Sequence, residues 1–244
     1  LSELGEGYLD FGDTPAVPGI YDLSKAVVGA ALRAGELVMS GRARRAFSPI
    51  AGLHHAARTR TSGFCIFNDC AVLIEALRQN YGLQRIAYVD IDAHHGDGVY
   101  YGFASDPDVL FADIHEDGRY LFPGTGSRDE TGEEGATGTK LNIPVMPGSG
   151  DSEFKAAWGE IESYLNDSRP ELIILQCGAD SLAGDPLTHL NFSEDAHGLA
   201  TASLCEIADR HAGGRLIALG GGGYNRDNIA TGWSRVVSEL IDSS

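Results

Sequence analysis

The stretch Tyr88-Val89-Asp90-Ile91-Asp92-Ala93-His94-His95-Gly96-Asp97-Gly98 places three acids, two histidines and two glycines directly after a short apolar run. Alternate residues of an extended chain leave it on one face, so Asp90, Asp92 and His94 can converge while the glycines let the backbone turn away. Carboxylate oxygens with an imidazole nitrogen suit zinc, and two acids with one histidine also suit manganese or iron. A solvated acidic turn has the same composition, so the rest of the chain must decide.

Three other apolar runs end in the same way. The run 109–112 leads into Asp113-Ile114-His115-Glu116, and the run 171–176 into Cys177-Gly178-Ala179-Asp180-Ser181-Leu182-Ala183-Gly184-Asp185. The run 215–219 leads into four consecutive glycines, 220–223, and then Tyr224. From these ends we expect Asp92, His94 and Asp185 to supply three ligands, leaving positions open for water and substrate as a catalytic zinc requires. A cation held there activates water and polarises a carbonyl, which points to hydrolysis of an amide or ester. That reaction also needs a proton shuttle and a donor for the developing oxyanion; His54-His55 and the Tyr224 hydroxyl are the candidates. Asp90 and Asp97 can each accept a hydrogen bond from a histidine Nδ1 and raise its basicity. Asp90 can equally belong to a separate cation site built from backbone carbonyls, and His95 can simply orient the loop.

The elements that must position these groups follow from periodicity. Residues 1–22 read as an ordered surface loop, and Ser24 as the N-cap of a helix to about Met39. Residues 42–69 lose all periodicity, which in a compact domain marks a functional segment. Asn68 or Asp69 caps a helix to about Asn80 that is apolar nearly all round. A strand at 85–91 follows, then the run at 109–112 and a glycine-rich excursion from 118 to 138. After a short edge strand at 141–145, Asp151 or Ser152 opens a helix to about Leu165. Then come a strand at 171–176, a helix capped by Ser193 to about His211, a strand at 215–219 and a helix from about Asp227 to Ile241. Strands alternating with helices define an α/β class with a mostly parallel sheet. In such sheets ligands bind beyond the carboxyl ends of the strands, where the polar groups gather here.

The totals set bounds on partners. The 244 residues suffice for one α/β domain, 1–244, with no linker to divide it. Eighteen basic residues against thirty-five acidic ones give a net charge of −17, which argues against a nucleic-acid or anionic-membrane surface and allows a cationic substrate or bound cations. No apolar run approaches the ~18 residues that span a bilayer, and the first five residues resemble no signal peptide. Cys65, Cys70, Cys177 and Cys205 have no framework spacing, so free thiols in a reducing cytoplasm are expected.

Six blocks together resemble a known family. Gly52-Leu53-His54-His55-Ala56, Ser62-Gly63-Phe64-Cys65, the stretch 88–98, Phe122-Pro123-Gly124-Thr125-Gly126, the stretch 178–186 and the stretch 220–225 are similar to the signature blocks of zinc-dependent histone deacetylases, which bacterial acetoin-utilisation deacetylases share. The resemblance implies the arginase-deacetylase fold, a parallel sheet of about eight strands flanked by helices, and hydrolysis of an acetylated amine at the foot of a narrow tunnel. It implies one zinc on Asp92, His94 and Asp185, and Tyr224 as oxyanion stabiliser. His55 backed by Asp97 would be the general base and acid, with His54 and Asp90 as its electrostatic partner. Phe64 and Phe122 would wall the tunnel, Gly63 would offer its carbonyl to the substrate amide, Leu187 would sit at the rim and Asp13 would grip substrate backbone. The resemblance further implies a structural potassium on the backbone of Asp90, Asp92 and His94, where Asp113 replaces a common serine. By the same resemblance the chain starts past the family's usual first strand and past an arginine behind the site, which would expose a sheet edge.

The expected function is therefore removal of acetyl or another short acyl group from lysine side chains of proteins, or from a related small amine. Three readings compete with it. An arginase-like ureohydrolase needs further acids for a second metal, whereas Leu182-Ala183-Gly184 precedes Asp185. A polyamine deacetylase places an acidic gatekeeper where Leu187 stands. A binding protein that has lost turnover is the third.

Overall fold

Helix and strand alternate along most of the described residues, with two strands in succession at 109–116 and 140–145. In order the elements are α1 (Ile20–Met39), β1 (Arg45–Ser48), α2 (Asp69–Tyr81), β2 (Ile86–Asp90), α3 (Asp97–Gly102), β3 (Val109–Glu116), β4 (Lys140–Val145), α4 (Asp151–Ser168), β5 (Leu172–Gln176), α5 (Glu194–His211), β6 (Leu216–Leu219) and α6 (Arg226–Asp242). This computed structural model describes residues 5–242; positions 1–4, the start of the loop expected at 1–22, and positions 243–244 lie outside the described residues.

The strands form one sheet in the order β1-β6-β5-β2-β3-β4, and every pairing is parallel. β2, β3, β5 and β6 are buried along their full length, as parallel strands covered on both faces must be. Alternate residues serve opposite layers. Ala87, Val89, Ile173, Leu175, Leu216 and Ala218 pack with Phe154, Trp158 and Ile161 of α4, with Leu204 of α5 and with Val236 of α6. Ile86, Tyr88, Leu172, Ile174, Ile217 and Leu219 pack with Ala31 and Val38 of α1, Leu73, Ile74 and Leu77 of α2 and Val99 of α3. Full burial of one such side chain is worth about 1.5–3 kcal/mol, so this two-sided core fixes the strand register firmly.

That register positions the site. Asp90 lies level with Gln176, and Gln176 level with Leu219, so β2, β5 and β6 end at one height. Whatever follows those three residues must share a rim.

Several expectations change. The described residues contain six strands, where about eight were expected. β1 falls inside the segment read as irregular, because four residues beginning with an arginine are too short to show a period. α1 begins at Ile20, not Ser24; Gly19 precedes it at φ +80°, and the Ser24 hydroxyl donates back to the Ile20 carbonyl at 2.7 Å from inside the helix. α2 buries one face only, with Val72 39% exposed on the other. Asn68 caps α2 through the Ala71 N–H at 2.9 Å, Ser193 caps α5 through the Asp195 N–H, and β4 is an edge strand, as expected.

Candidate metal centre and acyl cavity

Beyond β2, side chains wind the chain into a tight loop. Asp90 Oδ1 accepts from the Asp92 N–H at 3.0 Å, and Asp92 Oδ1 from the His94 N–H at 2.9 Å. Beyond β5, a turn of 3-10 helix at Ala179–Ser181 swings Asp180 back over this loop, where its Oδ1 accepts from the Ala93 N–H at 2.9 Å. The ligand atoms of Asp92, His94 and Asp180 consequently lie within 4.8 Å of one another. His94 Nδ1 is 3.1 Å from both Asp92 Oδ1 and Asp180 Oδ2. Burial opposes charge on this imidazole, yet hydrogen bonds to Asp180 and Asp92 push its pKa up to about 11. The pocket therefore favours positive charge strongly, and its two carboxylates and one imidazole are the donor set a divalent cation requires.

Asp185 does not belong to this cluster, which corrects the expected ligand set. Asp180 stands four residues past the end of β5 and Asp185 nine, and it is Asp180 that shares the cluster with Asp92 and His94. Its oxygens instead accept from the Leu187 N–H at 2.9 Å and the Tyr224 N–H at 2.8 Å. The signal that would have found Asp180 was its proximity to the strand end.

Two glycines make room for the cluster. A Cβ at Gly178 would collide with Asp92 Oδ2, and one at Gly222 would collide with Asp180 Oδ2 and lie 2.9 Å from Asp92 Oδ2. Asp92 Oδ2 also accepts from the Gln176 side-chain amide at 2.8 Å and the Gly222 N–H at 2.9 Å.

The paired histidines lie beside this centre. His54 Nδ1 donates to Asp90 Oδ2 at 2.8 Å, His55 Nδ1 donates to Asp97 Oδ1 at 2.6 Å, and the two Nε2 atoms face each other at 3.1 Å. Burial resists charge on His54, but Asp90 and Asp92 outweigh it and push its pKa up to about 10. Burial and then the neighbouring His54 push His55 down to about 4, against the pull of Asp97. One histidine is thus held charged and the other neutral, so the pair shares one proton across a short gap.

The backbone carrying them is fixed from α2. Asp69 accepts from the Gly52 and Leu53 N–H groups at 2.7 and 3.0 Å, while Asn68 Nδ2 donates to the carbonyls of His54 and Ala56 at 2.8 and 3.0 Å. Sequence reasoning saw these two residues only as helix caps.

A cavity of about 330 Å³ opens onto the centre. Asp13, His54, His55, Gly63, Phe64, Asp92, His94, Phe122, Asp180, Leu187 and Tyr224 all line it. Asp90 and Asp97 stand behind the histidines. Phe122 packs edge-on to His55 with ring centroids 5.1 Å apart, and Phe64 packs edge-on to Tyr224 at 6.1 Å. The Thr14 hydroxyl accepts from the Phe64 N–H at 3.2 Å, which ties the segment of Asp13 to the cavity wall. Burial, then Asp180 and Asp92, raise the pKa of the Tyr224 phenol, so it stays protonated as a donor. A larger groove of about 920 Å³ lies along α1, α2 and residues 56–61, away from the histidine and aspartate cluster.

A parallel α/β sheet with an acidic cation pocket at its carboxyl rim is thus the class of protein that fold and site define. Residues 2–240 match the histone deacetylase domain, and the chain belongs to that family. It is 41% identical to the acetoin utilization protein AcuC of Bacillus subtilis (strain 168), over 98% of this chain and 62% of that protein. It is 35% identical to a histone deacetylase-like amidohydrolase of Pseudomonas aeruginosa (strain PAO1), over 98% of this chain and 63% of that protein. Among solved structures, the crystal structure of the HDA15 HD domain superposes with a TM-score of 0.91 at 27% identity, covering 99% of this chain and 67% of that one. The chain spans less than two thirds of the length of those two curated relatives. Among the described residues, no helix is long and apolar enough to cross a membrane.

Proposed function

We propose that residues 1–244 form one catalytic domain of a zinc-dependent amidohydrolase that removes acetyl or another short acyl group from lysine side chains of proteins, or from a related small amine. The observation that carries this reading is the convergence of Asp92, His94 and Asp180 within 4.8 Å, on the cavity that the histidine pair and Tyr224 also line. These three residues would hold a zinc ion, which would supply Lewis acidity towards the acyl carbonyl and make water more acidic.

This chain's own residues account for the rest. His55, held neutral at Nε2 and oriented by Asp97, takes a proton from the attacking water and later returns one to the leaving amine. His54, charged and anchored on Asp90, stabilises the negative charge that develops beside it. The Tyr224 phenol donates to the acyl oxygen as that oxygen gains charge. Phe64 and Phe122 flank an alkyl chain such as the four methylenes of lysine, and the Gly63 carbonyl accepts from the substrate amide. Asp13 at the mouth suits a main-chain N–H or a cation, while Leu187 leaves the rim apolar, which favours acetyl-lysine over an acetylated polyamine.

A structural potassium on the backbone of Asp90, Asp92 and His94 remains part of the proposal. Asp113 beside that backbone is already engaged by His115 Nδ1 and by the Gly96 N–H, each at 2.8 Å. Four buried cysteines, none of them in a disulfide among the described residues, support a reducing, cytoplasmic setting. The deciding experiment compares turnover of an acetyl-lysine fluorogenic peptide, acetylspermidine and arginine, with and without a chelator. Chelator-sensitive release from the peptide is expected. Product from the polyamine alone would overturn the substrate, urea from arginine would overturn the reaction, and no turnover after zinc is restored would favour a binding protein.

A further inference from the structure

Asp185 is a nearly buried carboxylate, 8% exposed, at the edge of the site and outside its metal cluster. Both of its oxygens are spent on main-chain N–H groups. Oδ2 accepts from Tyr224 at 2.8 Å, and Oδ1 from Leu187 at 2.9 Å. Both partners line the cavity that the metal cluster also lines, Tyr224 bringing a phenol to it and Leu187 an apolar side chain. The chain reaches Tyr224 through four glycines, of which Gly221 has φ +114° and Gly223 φ +146°. Such a segment has little conformational preference of its own, so its end must be held from outside. The Gly222 N–H is held by Asp92 and the Tyr224 N–H by Asp185. Asn225 and Asn228 then tie the following turn to the carbonyls of Gly184, Leu182 and Ala183, each at 3.2 Å.

We propose that Asp185 is a positioning residue that sets the height of the Tyr224 phenol over the acyl oxygen and couples it to the rim at Leu187. The proposal rests on the reading of Tyr224 as the donor to that oxygen. A carboxylate is the required group because both partners are donors: an asparagine offers one oxygen and turns its NH₂ against the other N–H. Hydrogen bonds to an ionised acceptor are also the stronger kind. A phenol displaced by about 1 Å loses on the order of 10²-fold in rate while the metal pocket is untouched.

The test uses Asp185→Ala, Asp185→Asn and Tyr224→Phe in the full chain, loaded with zinc and assayed on an acetyl-lysine peptide. Expected are a fall in kcat of about 10- to 100-fold for Asp185→Ala, a smaller fall for Asp185→Asn, KM changed less than kcat, and zinc content equal to wild type. In the Tyr224→Phe background, Asp185→Ala should cost less than about twofold, because the group it positions is gone. An activity-independent readout is the ¹⁹F spectrum of protein labelled with 3-fluorotyrosine, with the Tyr224 line assigned by its loss in Tyr224→Phe. That line should broaden or split in Asp185→Ala and sharpen again in Asp185→Asn. Loss of zinc from either Asp185 variant, an undiminished effect in the Tyr224→Phe background, or an unchanged ¹⁹F line with kcat within twofold of wild type would each overturn the proposal. Wild-type protein that turns over no acetylated amine would defeat the functional reading instead, and the zinc and ¹⁹F results would then decide on Asp185.

Discussion

His55 is the residue to which the proposed chemistry gives the proton, since it lines the cavity while its Nδ1 is committed to Asp97 at 2.6 Å and its Nε2 lies 3.1 Å from that of His54. His55→Ala should lower kcat by about 10²–10⁴-fold, the usual worth of a general base, with zinc content unchanged; a fall of less than about threefold would assign the proton to another group. Beside it, His54 offers a pH test. Its pKa rises on folding from 6.5 to about 10, so the folded state holds the extra proton between those values. The stabilisation this contributes is complete below pH 6.5 and is lost as pH rises through about 10. The stability difference between wild type and His54→Gln, from urea midpoints across that range, should therefore shrink as pH rises; a constant difference would show that the charge on His54 is not what stabilises it. Gly222 supplies the strictest steric constraint. A methyl group there would meet both metal-cluster carboxylates, so Gly222→Ala should weaken zinc binding at least tenfold, read by competition with a chromophoric chelator. Zinc affinity equal to wild type would place the ion elsewhere.

At the scale of elements, the site is held between strand ends and the first turn of α2. β2, β5 and β6 end level, which starts the loops of Asp92, Asp180 and Tyr224 from one rim. The histidine pair has no strand of its own, and its backbone takes its shape from Asn68 and Asp69. Asn68→Ala removes the cap of α2 and leaves two carbonyls of the histidine segment without their donor. The expected loss is about 2 kcal/mol in urea unfolding, together with a fall in kcat beyond any loss of folded protein. Loss of stability with kcat unchanged would reduce Asn68 to a helix cap.

For the whole molecule the dominant quantity is charge. The chain carries a net −17 and its cavity is proposed to receive a lysine-bearing substrate, so cationic peptides should be drawn in and salt should screen that attraction. KM for a lysine-rich acetylated peptide should rise several-fold between low and high sodium chloride, while KM for a neutral peptide of the same length changes little. Equal salt responses would confine the role of the charge to solubility.

Runs of β-branched and aromatic residues ending in Asp92-Ala93-His94 and in Tyr224 declare strands with polar groups beyond their ends, and the structure brings these residues to one cavity. Local patterning also announced the parallel α/β class, a cap at Asn68 or Asp69, the cap at Ser193 and the edge position of β4, and the structure chose Asn68. That patterning was silent on β1, whose four residues pair only with the distant β6, and on α3, a six-residue helix too short to show a period. The third member of the candidate metal cluster was beyond it too. Asp180 and Asp185 lie five residues apart in one polar stretch, equally acidic on paper. Which of them reaches His94 depends on where β5 ends against β2 and on the single turn of helix that follows. A ligand set is a property of distances between separate strand ends, and those distances exist only once both faces of the sheet have been packed.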